Sequence, residues 1–271
     1  MELWKSVILG AVQGLTEFLP VSSSGHLVVW SRILGVTSSV AFDVALHVGS
    51  LIALLVVFWR DIVGLVRGFA VTFASQPTRE DRHKRTMFWL IVLAIAPSGV
   101  AGVLLGSRIE QAFGSLLVVA AMFVVTAVLL FLQRFCSTSR TVRDINWLDA
   151  LVVGIGQCFA LLPGLSRSGT TMSFGVYRGL KQEDAAHFSF LMAIPTIAGA
   201  AVFKVRDFIS LGLSGVALRD LAVGIVVSVV VSLLAIGLLL RVARRGRMQW
   251  FAVYCLLMAV VTFVLHVNGG I

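Results

Sequence analysis

The sequence predicts an all-α polytopic membrane protein. It is expected to be an inverted-topology repeat, each half a re-entrant helix hairpin followed by three transmembrane helices. Three observations predict this class. The 271 residues are 58% apolar and 13% charged, whereas a soluble domain is about half apolar and about a quarter charged. Six apolar stretches, 41–60, 86–106, 113–135, 184–205, 219–241 and 248–268, reach the roughly 20 residues needed to cross a bilayer. The two halves also match at an offset of 144: Gln13 falls on Gln157, Ser22 on Ser166, Ser24 on Ser168 and Gly25 on Gly169.

Taken in order, residues 2–19 are apolar and run into a polar island, Leu19-Pro20-Val21-Ser22-Ser23-Ser24-Gly25-His26. The return arm, 26–35, carries Arg32 and is too short to span. A short arm after a Pro/Gly break reads as a re-entrant hairpin, which membranes tolerate only inside protein or beside a wet cavity. Spans 41–60, 86–106 and 113–135 follow, with 60–85 between the first two read as a loop. Residues 147–162 open the second half and meet a second island, Leu162-Pro163-Gly164-Leu165-Ser166-Arg167-Ser168-Gly169-Thr170-Thr171. A short arm, 169–178, and spans 184–205, 219–241 and 248–268 complete it. The chain reads as one membrane domain, 1–271, with repeat one at about 1–135 and repeat two at about 146–268. Gln13 and Glu17 break the first apolar run and no small-residue cleavage site follows, so the N-terminal segment is expected to be retained.

Charge sets the expected orientation. Fifteen Lys and Arg residues lie in 60–85, 134–143, 178–181 and 241–247, and six lie at the opposite span ends: Lys5, Arg32, Arg108, Lys204, Arg206 and Arg219. Basic loops stay in the cytoplasm, which puts both termini outside. A hairpin returns to its starting side and three spans then switch sides, so hairpin one enters from outside and hairpin two from the cytoplasm. Their tips can then meet at depth. The same distribution explains the net charge of +9 without nucleic acid. Cys136, Cys158 and Cys255 are widely spaced, form no metal-binding pattern and read as packing residues.

Ionisable groups at membrane depth are costly and mark function. Gln13 and Glu17 are four apart and share one helix face. Ser22, Ser23 and Ser24 follow the Pro20 break, Gly25 permits close backbone approach, and His26 opens the return arm. The start of that arm offers free N–H groups to an anion. The second island adds Arg167, whose planar fork suits phosphate oxygens, and the hydroxyls of Ser166, Ser168, Thr170 and Thr171. A carboxylate, a hydroxyl nucleophile, a His and an Arg clamp suit phosphoryl transfer. Small hydroxyl residues also serve helix packing in membranes, a reading that applies to Ser22, Ser168 and Thr170. His47 reads as a structural hydrogen-bonding residue, and Asp43 as either a solvated span end or part of the site.

The stretch Gln13-Gly14-Leu15-Thr16-Glu17-Phe18-Leu19-Pro20-Val21-Ser22-Ser23-Ser24-Gly25-His26 resembles the first signature, (E/Q)xxxE followed by PxSSxGH, of the bacterial undecaprenyl-pyrophosphate phosphatase family of the BacA type. Pro163-Gly164-Leu165-Ser166-Arg167-Ser168-Gly169-Thr170-Thr171 resembles its second, PGxSRSxxT. The resemblance covers essentially the whole chain. It implies hydrolysis of undecaprenyl diphosphate to the monophosphate and inorganic phosphate, which recycles the lipid carrier for peptidoglycan synthesis and confers bacitracin resistance. It further implies a divalent cation, Mg²⁺ or Ca²⁺, and a site open to the outer face of the bacterial cytoplasmic membrane. Gln13 stands at a position where the pattern also admits Glu, which weakens schemes needing two carboxylates.

On this basis Ser23, His26, Glu17 and Arg167 are the expected catalytic residues. Gln13, Ser22, Ser24, Gly25, Ser166, Ser168 and Thr171 are the expected substrate-binding residues, and Glu17 the expected metal ligand. Ser23 attacks the terminal phosphorus and either His26 or Glu17 takes its proton. Alternatives are His26 as nucleophile, or water activated by Glu17 with no covalent intermediate. Expected partners are a polyprenyl diphosphate lipid and the bilayer, no nucleic acid, and a second copy of the chain as a candidate homodimer. A lipid-phosphate transporter or flippase on the same repeat is the alternative of a different class.

Overall fold

The computed structural model describes residues 2–36, 40–210 and 218–269. Met1, Gly270 and Ile271 lie outside the described residues, as do the side chains of Lys204 and Arg206.

The first island breaks a helix pair as expected. α1 (Leu3–Phe18) stops where Leu19 turns extended before Pro20, because the proline ring disfavours a helical residue ahead of it. α2 (Ser23–Ile33) restarts immediately, capped by the Ser22 hydroxyl, which accepts from Gly25 N–H. The second half repeats the device. α7 (Trp147–Phe159) begins in an Asn146–Asp149 capping box, and the Ser166 hydroxyl caps α8 (Arg167–Tyr177) by accepting from Gly169 N–H. The matched pairs Ser22/Ser166 and Gly25/Gly169 are therefore the cap and its donor. This satisfies backbone N–H groups that would otherwise be orphaned.

The longer helices are α3 (Val40–Val57), α5 (Arg79–Phe113), α6 (Leu116–Leu132), α9 (Gln182–Ser210), α10 (Leu218–Arg244) and α11 (Trp250–Val267). α6 runs on through a 3-10 turn at Gln133–Phe135. Five of these segments are long and apolar enough to cross a membrane. The stretch expected at 41–60 differs. It passes that test only together with α4 (Trp59–Val71), and the pair is bent by 82° at Phe58. Residues 60–71, expected as loop, thus continue as helix. α4 packs along α5, where Gly68 lies against the Lys84 carbonyl so closely that a Cβ would meet it at 2.3 Å.

Packing brings the two halves together in matching pairs. α1 lies along α10, and α7 lies along α5. Both contacts use a glycine seated on backbone: Gly10 against the Gly224 carbonyl and Gly154 against the Ala94 carbonyl. Such close approach is how membrane helices pack without a hydrophobic driving force. Each interface also holds a buried glutamine. Gln13 Nε2 reaches Ser50 Oγ at 3.4 Å, and Ser50 bonds Ser228. Gln157 Nε2 reaches Ser98 Oγ at 2.6 Å and Thr196 Oγ1 at 3.5 Å. One core, including Phe18, Leu54, Met172, Phe188 and Phe190, runs through both halves beneath the hairpins.

Candidate active site

The tips of the two hairpins touch. Ser168 Oγ donates to the Leu19 carbonyl at 3.1 Å, and Gly164 N–H donates to Ser24 Oγ at 3.4 Å. Gly164 is required there. Its φ is +92, and a Cβ would lie 2.4 Å from the Val119 carbonyl. Ser22 is the one described non-glycine residue with positive φ, at 70. Backbone held in so sparsely populated a region costs on the order of 1–3 kcal/mol and persists only where surroundings enforce it.

At this junction Glu17 sits between the two islands. Its Oε2 accepts from Ser23 Oγ at 2.5 Å and from Gln13 Nε2 at 3.0 Å. Its Oε1 accepts from Arg167 Nη2 at 2.5 Å, across 150 residues of sequence. Donors on both oxygens define an ionised carboxylate. Glu17 is buried, whereas Ser23, Ser24 and Arg167 keep partial exposure. The first N–H groups of α2 and α8 have no acceptor within their own helices, and the tip contacts bring the two helix starts together.

His26 makes its hydrogen bonds away from Ser23. Its Nδ1 lies 2.8 Å from the Ser22 carbonyl and its Nε2 lies 2.7 Å from the Tyr254 hydroxyl. A carbonyl only accepts, so the proton sits on Nδ1 and Nε2 accepts from Tyr254. The ring stacks on Tyr254, meets Phe123 edge-on, and is only 1% exposed. Among the described residues no hydrogen bond joins His26 to Ser23.

Other expected ligand contacts are engaged within the protein. Ser22, Ser166, Ser168 and Thr171 are buried; the first two cap helices, Ser168 joins the tips, and Thr171 Oγ1 pairs with Ser189 Oγ at 2.6 Å. Gly25 packs against Phe123 and Gly164, so closely that a Cβ would meet the Phe123 ring at 2.7 Å. Gln13 is fully buried and braces Glu17. His47, read from sequence as structural, lies 3.7 Å from Glu17 Oε2, and its Nδ1 is bonded to the Asp43 carbonyl. A cavity of about 380 Å³ opens beside the tips, lined by Ser24, Leu27, Arg32, Asp43, His47 and Phe113. Tyr254, Ser50 and Arg32 are neighbours that sequence reading missed. Ser50 and Tyr254 come from other helices, Arg32 lies further along α2 itself, and no local pattern marks any of them.

For a metal, the described residues hold no group of three or more His, Cys, Asp and Glu side chains able to share an ion. The oxygen donors available are the Glu17 carboxylate and Gln13 Oε1, which is buried with no hydrogen-bond partner. So small a set does not form an all-protein cage. It fits a hard cation that keeps waters and takes most of its ligands from substrate phosphates.

Fold and site together define a polytopic helical membrane protein with a serine, a carboxylate and an arginine gathered at the joined tips of two broken helices. The chain belongs to the bacitracin resistance protein BacA family, whose family model matches residues 6–261. It is 41% identical over 266 residues to the undecaprenyl-diphosphatase of Salinibacter ruber, covering 95% of this chain and 97% of that one. It is 38% identical over 276 residues to the undecaprenyl-diphosphatase of Methanosphaera stadtmanae, covering 98% and 99%. Undecaprenyl-diphosphatase 1 of Shouchella clausii is also 38% identical, with 98% and 97% covered.

Proposed function

We propose that this chain hydrolyses undecaprenyl diphosphate to undecaprenyl phosphate and inorganic phosphate. This would recycle the carrier for peptidoglycan synthesis and lower bacitracin sensitivity. The relatives' names support the substrate. The observation that carries the chemistry is Glu17, bonded to Ser23 on one oxygen and Arg167 on the other. Arg167 exchanges Glu17 for the terminal phosphate, assisted by the N–H groups at the starts of α2 and α8. Ser23 Oγ attacks the terminal phosphorus and its proton passes to Glu17. The bond from that phosphorus to the bridging oxygen breaks, and undecaprenyl phosphate leaves. Water then attacks the phosphoserine, releasing inorganic phosphate and restoring Ser23. His26 orients the Ser22–Ser24 turn; with both nitrogens occupied it is a poor nucleophile. Glu17 and Gln13 would hold a Mg²⁺ or Ca²⁺ ion arriving with the diphosphate, whose chemistry is to neutralise developing charge.

The fold is read as six spans, counting bent α3–α4 as one, and two re-entrant hairpins in an inverted repeat. The matched α1–α10 and α7–α5 contacts support the repeat. The basic bias puts the termini outside the cytoplasmic membrane and opens the cavity beside Ser24 to the outer face. The transporter alternative draws no support from the relatives, which are named as phosphatases.

The test is phosphate release from undecaprenyl diphosphate by detergent-purified protein, with and without EDTA. Chelator-sensitive release without any membrane gradient is expected. No release under any cation supplied would sink the proposal.

A further inference from the structure

A second cavity, of about 400 Å³, shares no lining residue with the one beside Ser24. It lies between the ends of α6, α9, α10 and α11, and three cations line it: Arg134, Lys181 and Arg244. Glu183 is the single carboxylate on its wall, 3.6 Å from Arg244, and both of these are substantially exposed. The lining therefore carries an excess of positive charge. Arg134 is held in place, its guanidinium 5.2 Å from the Phe131 ring and 5.3 Å from the Phe135 ring. Two aromatic faces fix that planar fork at little further cost in side-chain freedom.

One more observation gives the ligand its character. Phe135 and Trp250, each next in sequence to a lining residue, are 70% and 67% exposed. They give the basic cavity an apolar border at helix ends, the arrangement in which transmembrane proteins hold anionic headgroups. None of these residues belongs to the Ser23 site.

We propose that this cavity binds a phosphate group, as presented by an anionic glycerophospholipid headgroup or by free inorganic phosphate. The cations meet the phosphate oxygens.

The full chain in detergent is offered phosphatidylglycerol, phosphatidylcholine or radiolabelled inorganic phosphate. Bound lipid is counted by native mass spectrometry and bound phosphate by equilibrium dialysis. Wild type is expected to retain phosphatidylglycerol over phosphatidylcholine if the source is lipid, or to bind inorganic phosphate if the source is free anion. In either arm Arg134→Gln and Lys181→Gln should each weaken binding roughly fivefold. Glu183→Gln should strengthen it by a similar factor, a gain that misfolding cannot mimic. Failure to bind either phosphate source, or binding indifferent to all three substitutions, would overturn the proposal.

Discussion

At the scale of single residues, the site depends on one carboxylate reading two islands at once. Arg167 is expected to act through its fork, so Arg167→Lys should lower phosphate release about 100-fold while the thermal midpoint in detergent holds. An unchanged rate would make Arg167 a structural clamp on Glu17. Tyr254→Phe removes one hydroxyl, the donor to His26 Nε2. Turnover should fall about tenfold with little change in substrate affinity, the scale of a single hydrogen bond to a neutral group; unchanged turnover would leave that pair without a part in positioning the tip. Glu17, Ser23 and Arg167 were legible because polar groups in an apolar run are rare. Tyr254 was not, since 228 residues separate it from His26 and only the folded chain joins them. His47 was visible as a residue but not as a neighbour of Glu17, for the same reason.

At the scale of elements, the two hairpins are joined at their tips and the second is also held at its feet. Their tips meet through Gly164, and the feet of α7 and α8 are clamped by Asp149 between Arg140 at 2.5 Å and Arg178 at 2.7 Å. Asp149 is fully buried, so Asp149→Ala leaves two cations without their partner and should destabilise by about 3 kcal/mol, read as a lower midpoint in detergent. Gly164→Ala places a methyl group on the Val119 carbonyl at a positive φ, and should lower both midpoint and turnover. Gly99→Ala, where nothing lies within 4 Å of the added methyl, is the matched control and should change neither. The hairpins were readable because Pro20 and the Ser-to-Gly cap spacing are local signals. α4 was not, because Arg60, Asp61 and Arg67 look like a solvated loop until α5 supplies a surface for the other face.

At the scale of the whole molecule, two halves contribute unequal chemistry through similar frames. Gln13 and Gln157 each sit in a hydroxyl network at a helix crossing, yet only Gln13 has a carboxylate one turn onward; Leu161 occupies the matching place in the second half. Offset matching made that likeness readable, whereas the contacts between halves are tertiary and had to be seen. The joined tips are the centre of this arrangement, and Ser23 is the nucleophile proposed for them. The most direct test is phosphate release from undecaprenyl diphosphate by purified Ser23→Ala protein, set against wild type of equal thermal midpoint. A loss of at least about 1,000-fold is predicted, since removal of a nucleophile leaves only binding and charge stabilisation. Near-wild-type release would contradict the assignment of Ser23, and with it the covalent route through the paired hairpins.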